Sequence, residues 1–347
     1  MKIDLNKINQ SDIDRLLLEK EMNIAAADAL FEFCFYSTKK FNHSHYLETI
    51  KDYLELNLDN EEDNYFYETR IKPSIHKLKV KDYENDYYRQ HIHPQQFISK
   101  NYQLTYLNIK PYQALPFDDI KIDENFKEIS QIGYFTDNFS YLAVNKDDVT
   151  WMSTDPNEIN TMKPSIDRAH GNVLACGLGL GYFPIMCAVK ENVNFVTIVE
   201  KDSIIIEIFK KHILPLFEFR DKINIIQDDA FNFVRKDLSK YDYLFIDIWH
   251  NPEDGLPLYL KFQRILKNKT IEVDCWLEKS ILAMLRRCLL TIVEESLLGY
   301  SDKNYKEAKN EYDQIINDLY FKTKDTTISS FAQLKQLLQD NELKKLI

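Results

Sequence analysis

Glycine is scarce in this chain, which has only 7 glycines among its 347 residues against an average share of roughly 7% in proteins. The scarcity excludes collagen-like, linker-rich and β-repeat architectures, which need frequent glycine. Four of the seven, Gly171, Gly177, Gly179 and Gly181, nevertheless fall within eleven residues. Because the chain uses glycine so rarely, we expect this cluster to meet a backbone requirement.

Paired cysteines, long apolar runs and an excess of positive charge are also missing. No C-x-x-C pair occurs among the five cysteines, which predicts free thiols in a reducing compartment. No stretch approaches the roughly 18 apolar residues of a membrane span, and no apolar secretion signal is visible near the N-terminus, so we expect a cytoplasmic protein that does not enter a membrane. Lys and Arg number 44 against 55 Asp and Glu, and this acidic balance argues against a nucleic-acid partner.

The sequence pattern divides the chain into four regions. Apolar residues at three-, four- and seven-residue steps predict a helix over Ser11–Tyr36, and we expect residues 1–125 to be mostly helical. Within 126–155, the β-prone runs QIGYF, FSYLAV and VTWMS are separated by turn residues, which predicts a small antiparallel meander. A central domain follows over 156–276, and residues 277–347 return to a helical pattern.

The central domain alternates short apolar runs with helical segments. The runs NVLAC, NFVTIVE, KINIIQ, YDYLFIDI and KTIEVDCW recur at intervals of roughly 20–30 residues. Continuous apolar runs are typical of strands buried on both faces of a parallel sheet. The alternation predicts an α/β fold with a Rossmann-like, doubly wound and mostly parallel sheet, preceded by the small β-meander and flanked by helical N-terminal and C-terminal additions.

The glycine cluster lies where the first apolar run ends and a helical segment begins. The loop reads Gly177-Leu178-Gly179-Leu180-Gly181 and follows NVLAC directly. Glycines at such a turn allow positive φ and let a ligand approach the backbone, while the following helix N-terminus offers unpaired N–H groups. We interpret the loop as a ligand cradle, and an ordinary tight turn is the alternative.

Acidic residues follow the next three predicted strands. Glu200 ends the second strand, where a carboxylate can accept from both hydroxyls of a ribose. Residues 228–230 (Asp-Asp-Ala) end the third, where an acid can accept from an adenine amino group or cap a helix. Asp247 ends the fourth. Because ligands bind at the carboxyl edge of open α/β sheets, these positions predict one ligand site along that edge, although each carboxylate taken singly could simply be solvated.

These residues give the stretch from about Gly171 to Asp247 a family resemblance. It resembles the class I S-adenosylmethionine-dependent methyltransferases, whose loop has the G-x-G-x-G form found here. The resemblance implies S-adenosylmethionine as the cofactor. The family often carries an acid where this chain has Ala175, so we expect Asp247 or Glu158 to contact the cofactor ammonium. The implied cofactor-binding residues lie along one edge of the sheet, and they are Cys176, Gly177, Leu178, Gly179, Gly181, Tyr182, Glu200, Lys201, Asp228, Asp229, Ala230 and Asp247.

The predicted meander is similar to the layout of the spermidine synthases, in which an N-terminal strand cap precedes the same cofactor fold. Aminopropyltransferases carry an acid where this chain has Leu180, and an Asp-Ser-Ser/Thr-Asp-like run where it has Asp247-Ile248-Trp249-His250. A methyltransferase acting on a small molecule or a protein is therefore the leading hypothesis. The second is an aminopropyltransferase using decarboxylated S-adenosylmethionine, and the third is a catalytically silent nucleotide-binding scaffold.

Methyl transfer requires alignment and exclusion of water, and a general base only assists. Asp247 is the first candidate for that base by its position, and His250 is the second, with a structural hydrogen-bonding role as the alternative for the histidine. The pairs His43/His45 and His91/His93 have no acidic or cysteine partner at a recognisable spacing, so we expect no metal site. The sequence leaves open whether the protein forms a homodimer.

Overall fold

The chain adopts a mixed α/β structure, given by a computed structural model that describes residues 1–36 and 43–347. The helices in chain order are α1 (Gln10–Tyr36), α2 (His43–Tyr53), α3 (Glu61–Phe66), α4 (Lys72–Ser74), α5 (Tyr87–His91), α6 (Pro156–Arg168), α7 (Tyr182–Ala188), α8 (Ser203–Ile208), α9 (Ala230–Val234), α10 (Pro252–Leu266), α11 (Glu278–Leu297), α12 (Glu311–Thr323), α13 (Phe331–Leu337) and α14 (Asp340–Lys345). The strands are β1 (Lys2–Ile3), β2 (Ile75–Leu78), β3 (Phe97–Ser99), β4 (Tyr102–Ile109), β5 (Leu115–Pro116), β6 (Lys121–Ile122), β7 (Glu128–Ile129), β8 (Ile132–Phe135), β9 (Phe139–Lys146), β10 (Val149–Ser153), β11 (Gly171–Cys176), β12 (Val193–Glu200), β13 (Ile223–Gln227), β14 (Tyr243–Ile246), β15 (Glu272–Cys275) and β16 (Thr327–Ile328).

Strands β11 to β15 form the central sheet, with all neighbours parallel and the order β13-β12-β11-β14-β15. The strand order reverses between β11 and β14, which is the arrangement of a doubly wound sheet. Every residue of β14 is buried, as its continuous apolar run predicts. The prediction of a mixed α/β fold with a parallel sheet is therefore confirmed.

The central sheet ends at β15, and the chain turns from there into α11. Leu277 makes the turn with a left-handed backbone (φ 54°). The strands of the preceding antiparallel region belong to a different sheet, in the part of the chain that the structure describes. The parallel sheet thus has five strands and is not extended by the strands in front of it.

The antiparallel region differs from the predicted three-stranded meander. The first predicted strand, QIGYF, contains β8, which pairs in parallel with β2 and antiparallel with β5 in a sheet of its own. The hairpin of β9 and β10 instead continues into β4 and β3, in the order β10-β9-β4-β3. The meander prediction was wrong for its first strand because strand partners are chosen by tertiary packing, which local alternation does not reveal.

The prediction that residues 1–125 are mostly helical holds only as far as His91. Strands β3, β4, β5 and β6 follow before residue 125. The periodicity of β4 is blurred because buried side chains occur on both of its faces. Prolines at 94, 111 and 116 also interrupt any helical pattern there. In the C-terminal region, the two-residue strand β16 pairs in parallel with β1, a contact that the sequence analysis did not predict.

One continuous hydrophobic core joins the central sheet, the antiparallel sheet and the C-terminal helices. The N-terminal helix α1 is tied to α11 by the ion pair of Lys20 with Glu294 (2.7 Å). Asn23 of α1 also donates to the carbonyl oxygen of Phe126 (2.8 Å) and accepts from the backbone N–H of Glu128 (3.0 Å). The ion pair holds α1 against the C-terminal region, and the bonds of Asn23 hold it against the start of β7. Among the described helices, none combines the length and the apolar character that a bilayer crossing requires.

Lys190 caps the C-terminal end of α6. The Lys190 ammonium donates to the carbonyl oxygens of Ile166 (2.5 Å), Asp167 (2.8 Å) and Ala169 (2.7 Å). The last carbonyls of a helix have no partner within the helix, and a cation there also offsets the negative end of the helix dipole. Lys190 therefore fixes the connection between α6 and β11, whose far end carries the glycine loop.

Replacing Lys190 with methionine keeps the aliphatic chain and removes the three hydrogen bonds. We expect Lys190→Met to lower the free energy of unfolding by about 1–3 kcal/mol, because helix-end carbonyls lose a charged donor. Urea unfolding measures the change. The matched control is Lys211→Met, which breaks only an exposed pair with Glu207, and equal effects of the two variants would contradict the assignment.

Candidate ligand-binding site at the carboxyl edge of the sheet

A cavity of about 630 Å³ lies at the carboxyl ends of the central parallel strands. The loops after β11, β12, β13 and β14 form one side of it, and α6 and the β9–β10 hairpin form the other. The cavity brings together residues that are far apart in sequence but were predicted to share one site, and they are Gly177, Leu178, Gly179, Tyr182, Glu200, Lys201, Asp228, Asp229, Ala230, Asp247 and His250. Their common location is a structural fact, whereas their binding of a cofactor stays a prediction.

The glycine loop has the positive φ values that its composition predicts: 101° at Gly177, 53° at Gly179 and 77° at Gly181. A Cβ atom on Gly177 would lie 1.8 Å from the carbonyl oxygen of Asp247, so the two strand-end loops touch backbone to backbone there. No atom lies within 4 Å of the equivalent position on Gly179. Gly177 is therefore needed for packing, while Gly179 leaves open space on the cavity side.

Two predicted cofactor residues, Cys176 and Gly181, do not line the cavity. Cys176 is fully buried in β11, and burial raises the pKa of its thiol to about 12. A Cβ atom on Gly181 would lie 2.1 Å from the Phe209 ring, so this glycine faces the core. The prediction included them because they adjoin the loop in sequence, but alternate residues of a strand and its turn point to opposite sides.

Glu200 is anchored by both of its carboxylate oxygens. The backbone N–H of Leu178, in the glycine loop, donates to Oε2 (3.1 Å), and the N–H of Asp202 donates to Oε1 (2.8 Å). Each carboxylate oxygen has a second lone pair. Glu200 can therefore organise the loop and still accept a hydrogen bond from a ligand hydroxyl, a double role that the sequence analysis missed.

The third strand end shows the helix cap that its sequence allowed, and its acidic residues also line the cavity. Asp229 caps α9 by accepting from the backbone N–H of Asn232 (3.0 Å), and it also lines the cavity. Asp228 lines the cavity and forms an ion pair with Lys236 (2.6 Å), a hydrogen bond that lowers the pKa of the Asp228 carboxyl group. Ala230 is small and buried beside them.

Two carboxylates in the cavity, Asp247 and Glu158, have no hydrogen-bond or ion-pair partner among residues 1–36 and 43–347. Burial raises the pKa of Asp247 to about 7, and the negative charge of Glu200 adds to the rise. Burial likewise raises the pKa of Glu158 well above its ordinary value, and Asp247 and Asp155 add to it. Unpaired buried carboxylates are costly and attract a cation. This wall of the cavity therefore favours a positively charged ligand group.

The position of Glu158 follows from the start of α6. Asp155 caps this helix by accepting from the backbone N–H groups of Asn157 (2.8 Å) and Glu158 (3.1 Å), which places Glu158 in the first turn. The helix begins at Pro156, a residue suited to the first helical position. The Asp-Pro pair predicts this helix start, but only the tertiary structure brings Glu158 next to Asp247.

His250 is engaged in structural contacts. Its Nδ1 lies 2.9 Å from Oδ2 of Asp254, and its backbone N–H donates to the same carboxylate. Its ring also packs edge-on against Trp151 with 4.4 Å between the ring centroids. These contacts favour the alternative interpretation, a structural role, over a general base. Trp249 is likewise buried, and its indole N–H donates to the carbonyl oxygen of Trp276 (3.1 Å).

The β9–β10 hairpin supplies one wall of the cavity. Trp151 and Met152 line the cavity from β10, and the Lys146 ammonium from β9 lies 4.6 Å from the centre of the Trp151 ring. On the neighbouring strand β4, the Tyr102 hydroxyl donates to Oδ2 of Asp202 (2.6 Å). The antiparallel sheet is therefore fastened to the strand end that carries Glu200.

His91 and His93 have backbone carbonyl oxygens as partners. In the described residues, no group of three or more His, Cys, Asp and Glu side chains is arranged to hold a metal ion. His91 Nδ1 lies 3.0 Å from the carbonyl oxygen of Tyr87, and His93 Nε2 lies 3.1 Å from that of Gln90. The side chain of His43 lies outside the described part of the structure.

Comparison with known proteins yields structural neighbours only. No family model and no curated protein matches the chain. A spermidine synthase from Thermotoga maritima aligns with a TM-score of 0.31 and 15% identity, over 43% of this chain and 58% of that one. A spermidine synthase in complex with the transition state analogue AdoDATO aligns with a TM-score of 0.29, at the same identity and coverage. The chain thus spans little more than half of these enzymes, and a similarity of this degree identifies neither a family nor an activity.

The contrast between two loop glycines is testable. We expect Gly177→Ala to lower the free energy of unfolding by at least about 3 kcal/mol, because its Cβ meets the Asp247 carbonyl in a left-handed backbone. We expect Gly179→Ala to cost only about 1 kcal/mol, since it has the backbone strain without the clash. Chemical denaturation of both variants checks this, and an equal loss would show that the two loops are not in contact.

Asp247 should make stability depend on pH. Its pKa is about 7 in the folded state and about 4 when unfolded, so the folded state binds more protons between these values and stability falls as the pH rises. We expect wild type to lose about 2 kcal/mol more between pH 5 and pH 8 than Asp247→Asn. Denaturation curves at both pH values measure this. The control is the exposed Asp221→Asn, and identical pH profiles for wild type and Asp247→Asn would refute the burial of this charge.

Proposed function

We propose that the protein is an S-adenosylmethionine-dependent methyltransferase that acts on a small molecule or a protein. One observation carries the proposal: the Glu200 carboxylate accepts from the Leu178 N–H of the glycine loop and lines the same cavity as Asp247. A carboxylate suited to accept from ribose hydroxyls, a glycine-rich loop and the acid that follows β14 thus lie together at the carboxyl edge of a parallel sheet, where such folds bind their ligands.

The residues of the cavity fit this cofactor. Its volume of about 630 Å³ is within the usual range for small-molecule sites. Glu200 would accept from the ribose hydroxyls, residues 228–230 would lie beside the adenine, and the methionine part would pass the open side of Gly179. The bound cofactor supplies an activated methyl group on a sulfonium.

The chain would then contribute charge, alignment and a proton acceptor. Negative charge on Asp247 and Glu158 would stabilise a sulfonium or an ammonium bound beside them in the cavity. The pKa of about 7 suits Asp247 to take a proton from an acceptor near neutral pH, since a general base is most effective when its pKa lies close to the working pH. The walls formed by Trp151 and Met152 help to exclude water.

The same two carboxylates favour a second candidate, aminopropyl transfer from decarboxylated S-adenosylmethionine. An amine would be attracted to Asp247 and Glu158, whereas the carboxylate of a methionine group would be repelled by them. Against this candidate, Leu180 stands where aminopropyltransferases carry an acid. No observation favours the third hypothesis, a silent nucleotide-binding scaffold.

Calorimetric titration tests the proposal. We expect wild type to bind S-adenosylmethionine and S-adenosylhomocysteine, and Glu200→Ala to weaken both by at least about tenfold, because a charged acceptor for two ribose hydroxyls is lost. Glu200→Gln separates the loss of charge from the loss of loop support, since its amide oxygen can still accept from Leu178. The exposed Glu191→Ala is the matched control.

The outcomes are distinct. If wild type binds neither S-adenosylmethionine nor S-adenosylhomocysteine nor decarboxylated S-adenosylmethionine, both proposed enzyme functions are eliminated. Clearly tightest binding of the decarboxylated form would replace methyl transfer by aminopropyl transfer. An unchanged dissociation constant in Glu200→Ala, with a retained melting temperature, would show that Glu200 does not contact the ribose.

A further inference from the structure

The glycine loop contains a buried carbonyl group that its own helix leaves without a donor. The carbonyl of Leu180 immediately precedes the cap of α7, and the residue four positions further on is Pro184, which has no N–H. The next carbonyl, that of Gly181, does receive such a bond, from the N–H of Ile185 (3.0 Å). A buried carbonyl without a donor is costly, so the Leu180 oxygen requires a partner from elsewhere.

Tyr88 provides that partner. Its hydroxyl donates to the Leu180 carbonyl oxygen at 2.6 Å in the protein interior, and Tyr88 itself is only 1% exposed. Tyr88 belongs to α5, which lies more than ninety residues earlier in the chain and outside the central sheet. The bond therefore joins the loop to the N-terminal region.

A second hydrogen bond joins the same two regions, and here the donor hydroxyl belongs to α7 and the acceptor to the start of α5. Tyr182, the first residue of α7, donates to Oδ2 of Asp86 at 2.5 Å. Asp86 is the cap of α5 and also accepts from the backbone N–H of Arg89 (2.9 Å). The rings of Tyr88 and Tyr182 lie 5.5 Å apart. The start of α7 is thus held by two reciprocal hydroxyl bonds.

The Tyr88 bond has a direct effect on the turn around Gly179. The carbonyl of Leu180 and the N–H of Gly181 belong to one planar peptide group, so fixing one orients the other. The Gly181 N–H donates to the Leu178 carbonyl oxygen (2.8 Å), which closes the turn that presents Gly179 to the cavity. We propose that Tyr88 is a positioning residue for ligand binding, which holds the glycine loop in the conformation that accepts the methionine part of the cofactor. This inference rests on the proposed function.

Tyr88→Phe tests the inference because it removes one hydroxyl and keeps the ring. We expect the dissociation constant for S-adenosylhomocysteine to rise about tenfold, since the loop loses a buried hydrogen bond that orients it. The dissociation constant for adenosine, which lacks the methionine part, should change less than about twofold. The matched control is Tyr305→Phe, which removes the hydroxyl of another buried tyrosine bonded to Glu295 (2.6 Å), remote from the cavity lining.

Hydrogen–deuterium exchange of the ligand-free variants gives a second readout that a general loss of stability would not reproduce. We expect faster exchange in peptides covering residues 177–183 for Tyr88→Phe and not for Tyr305→Phe. If wild type binds S-adenosylhomocysteine but Tyr88→Phe binds it equally well, or loses both ligands in the same proportion, the inference is overturned and the proposed function stands. If wild type binds neither ligand, the proposed function is overturned and the inference with it.

Discussion

The cavity depends on one close backbone contact, that of Gly177 with the carbonyl of Asp247. The parallel pairing of β11 with β14 brings the two strand ends side by side, and the N–H of Asp247 donates to the Cys176 carbonyl oxygen (2.8 Å). Only a residue without a Cβ allows the loops to come this close. From this contact the glycine loop turns away toward Glu200, while Asp247 turns into the cavity, and the site opens between them.

Two carboxylates at this edge of the sheet are not paired with a cation in the part of the chain that the structure describes. The interior ion pairs, such as Lys20 with Glu294, hold charge against charge. Asp247 and Glu158 line the cavity together with Lys146 and Lys201, but neither carboxylate is bonded to a cation among the described residues, and burial raises the pKa of each. Folding alone gains nothing from such an arrangement. A positively charged group bound beside Asp247 and Glu158 would offset the cost of burying these two carboxylates. The charge of the cavity is therefore more distinctive than its shape.

Much of the fold and part of the site could be predicted from sequence because they depend on local signals. Continuous apolar runs indicated the buried parallel strands, and the positions of Gly177, Glu200 and Asp247 followed from where those strands end. Cys176 and Gly181 do not line the cavity, because adjacency in sequence does not tell which way a residue faces at a strand end. The partners of the antiparallel strands depend on contacts between distant segments, which no local pattern records.

The bond between Tyr102 and Asp202 shows that the cavity needs more of the chain than the parallel sheet does. The five strands of the parallel sheet all lie within residues 171–275, although their core is continuous with that of the antiparallel sheet and the C-terminal helices. At the carboxyl edge of the sheet, however, Tyr102 of β4 bonds to Asp202, and the β9–β10 hairpin forms a wall of the cavity. Both elements precede the sheet in the sequence. The segment that forms the parallel sheet is therefore smaller than the segment that forms the cavity. Transfer of the central sheet alone to another protein would therefore leave behind the wall that the β9–β10 hairpin gives to the cavity.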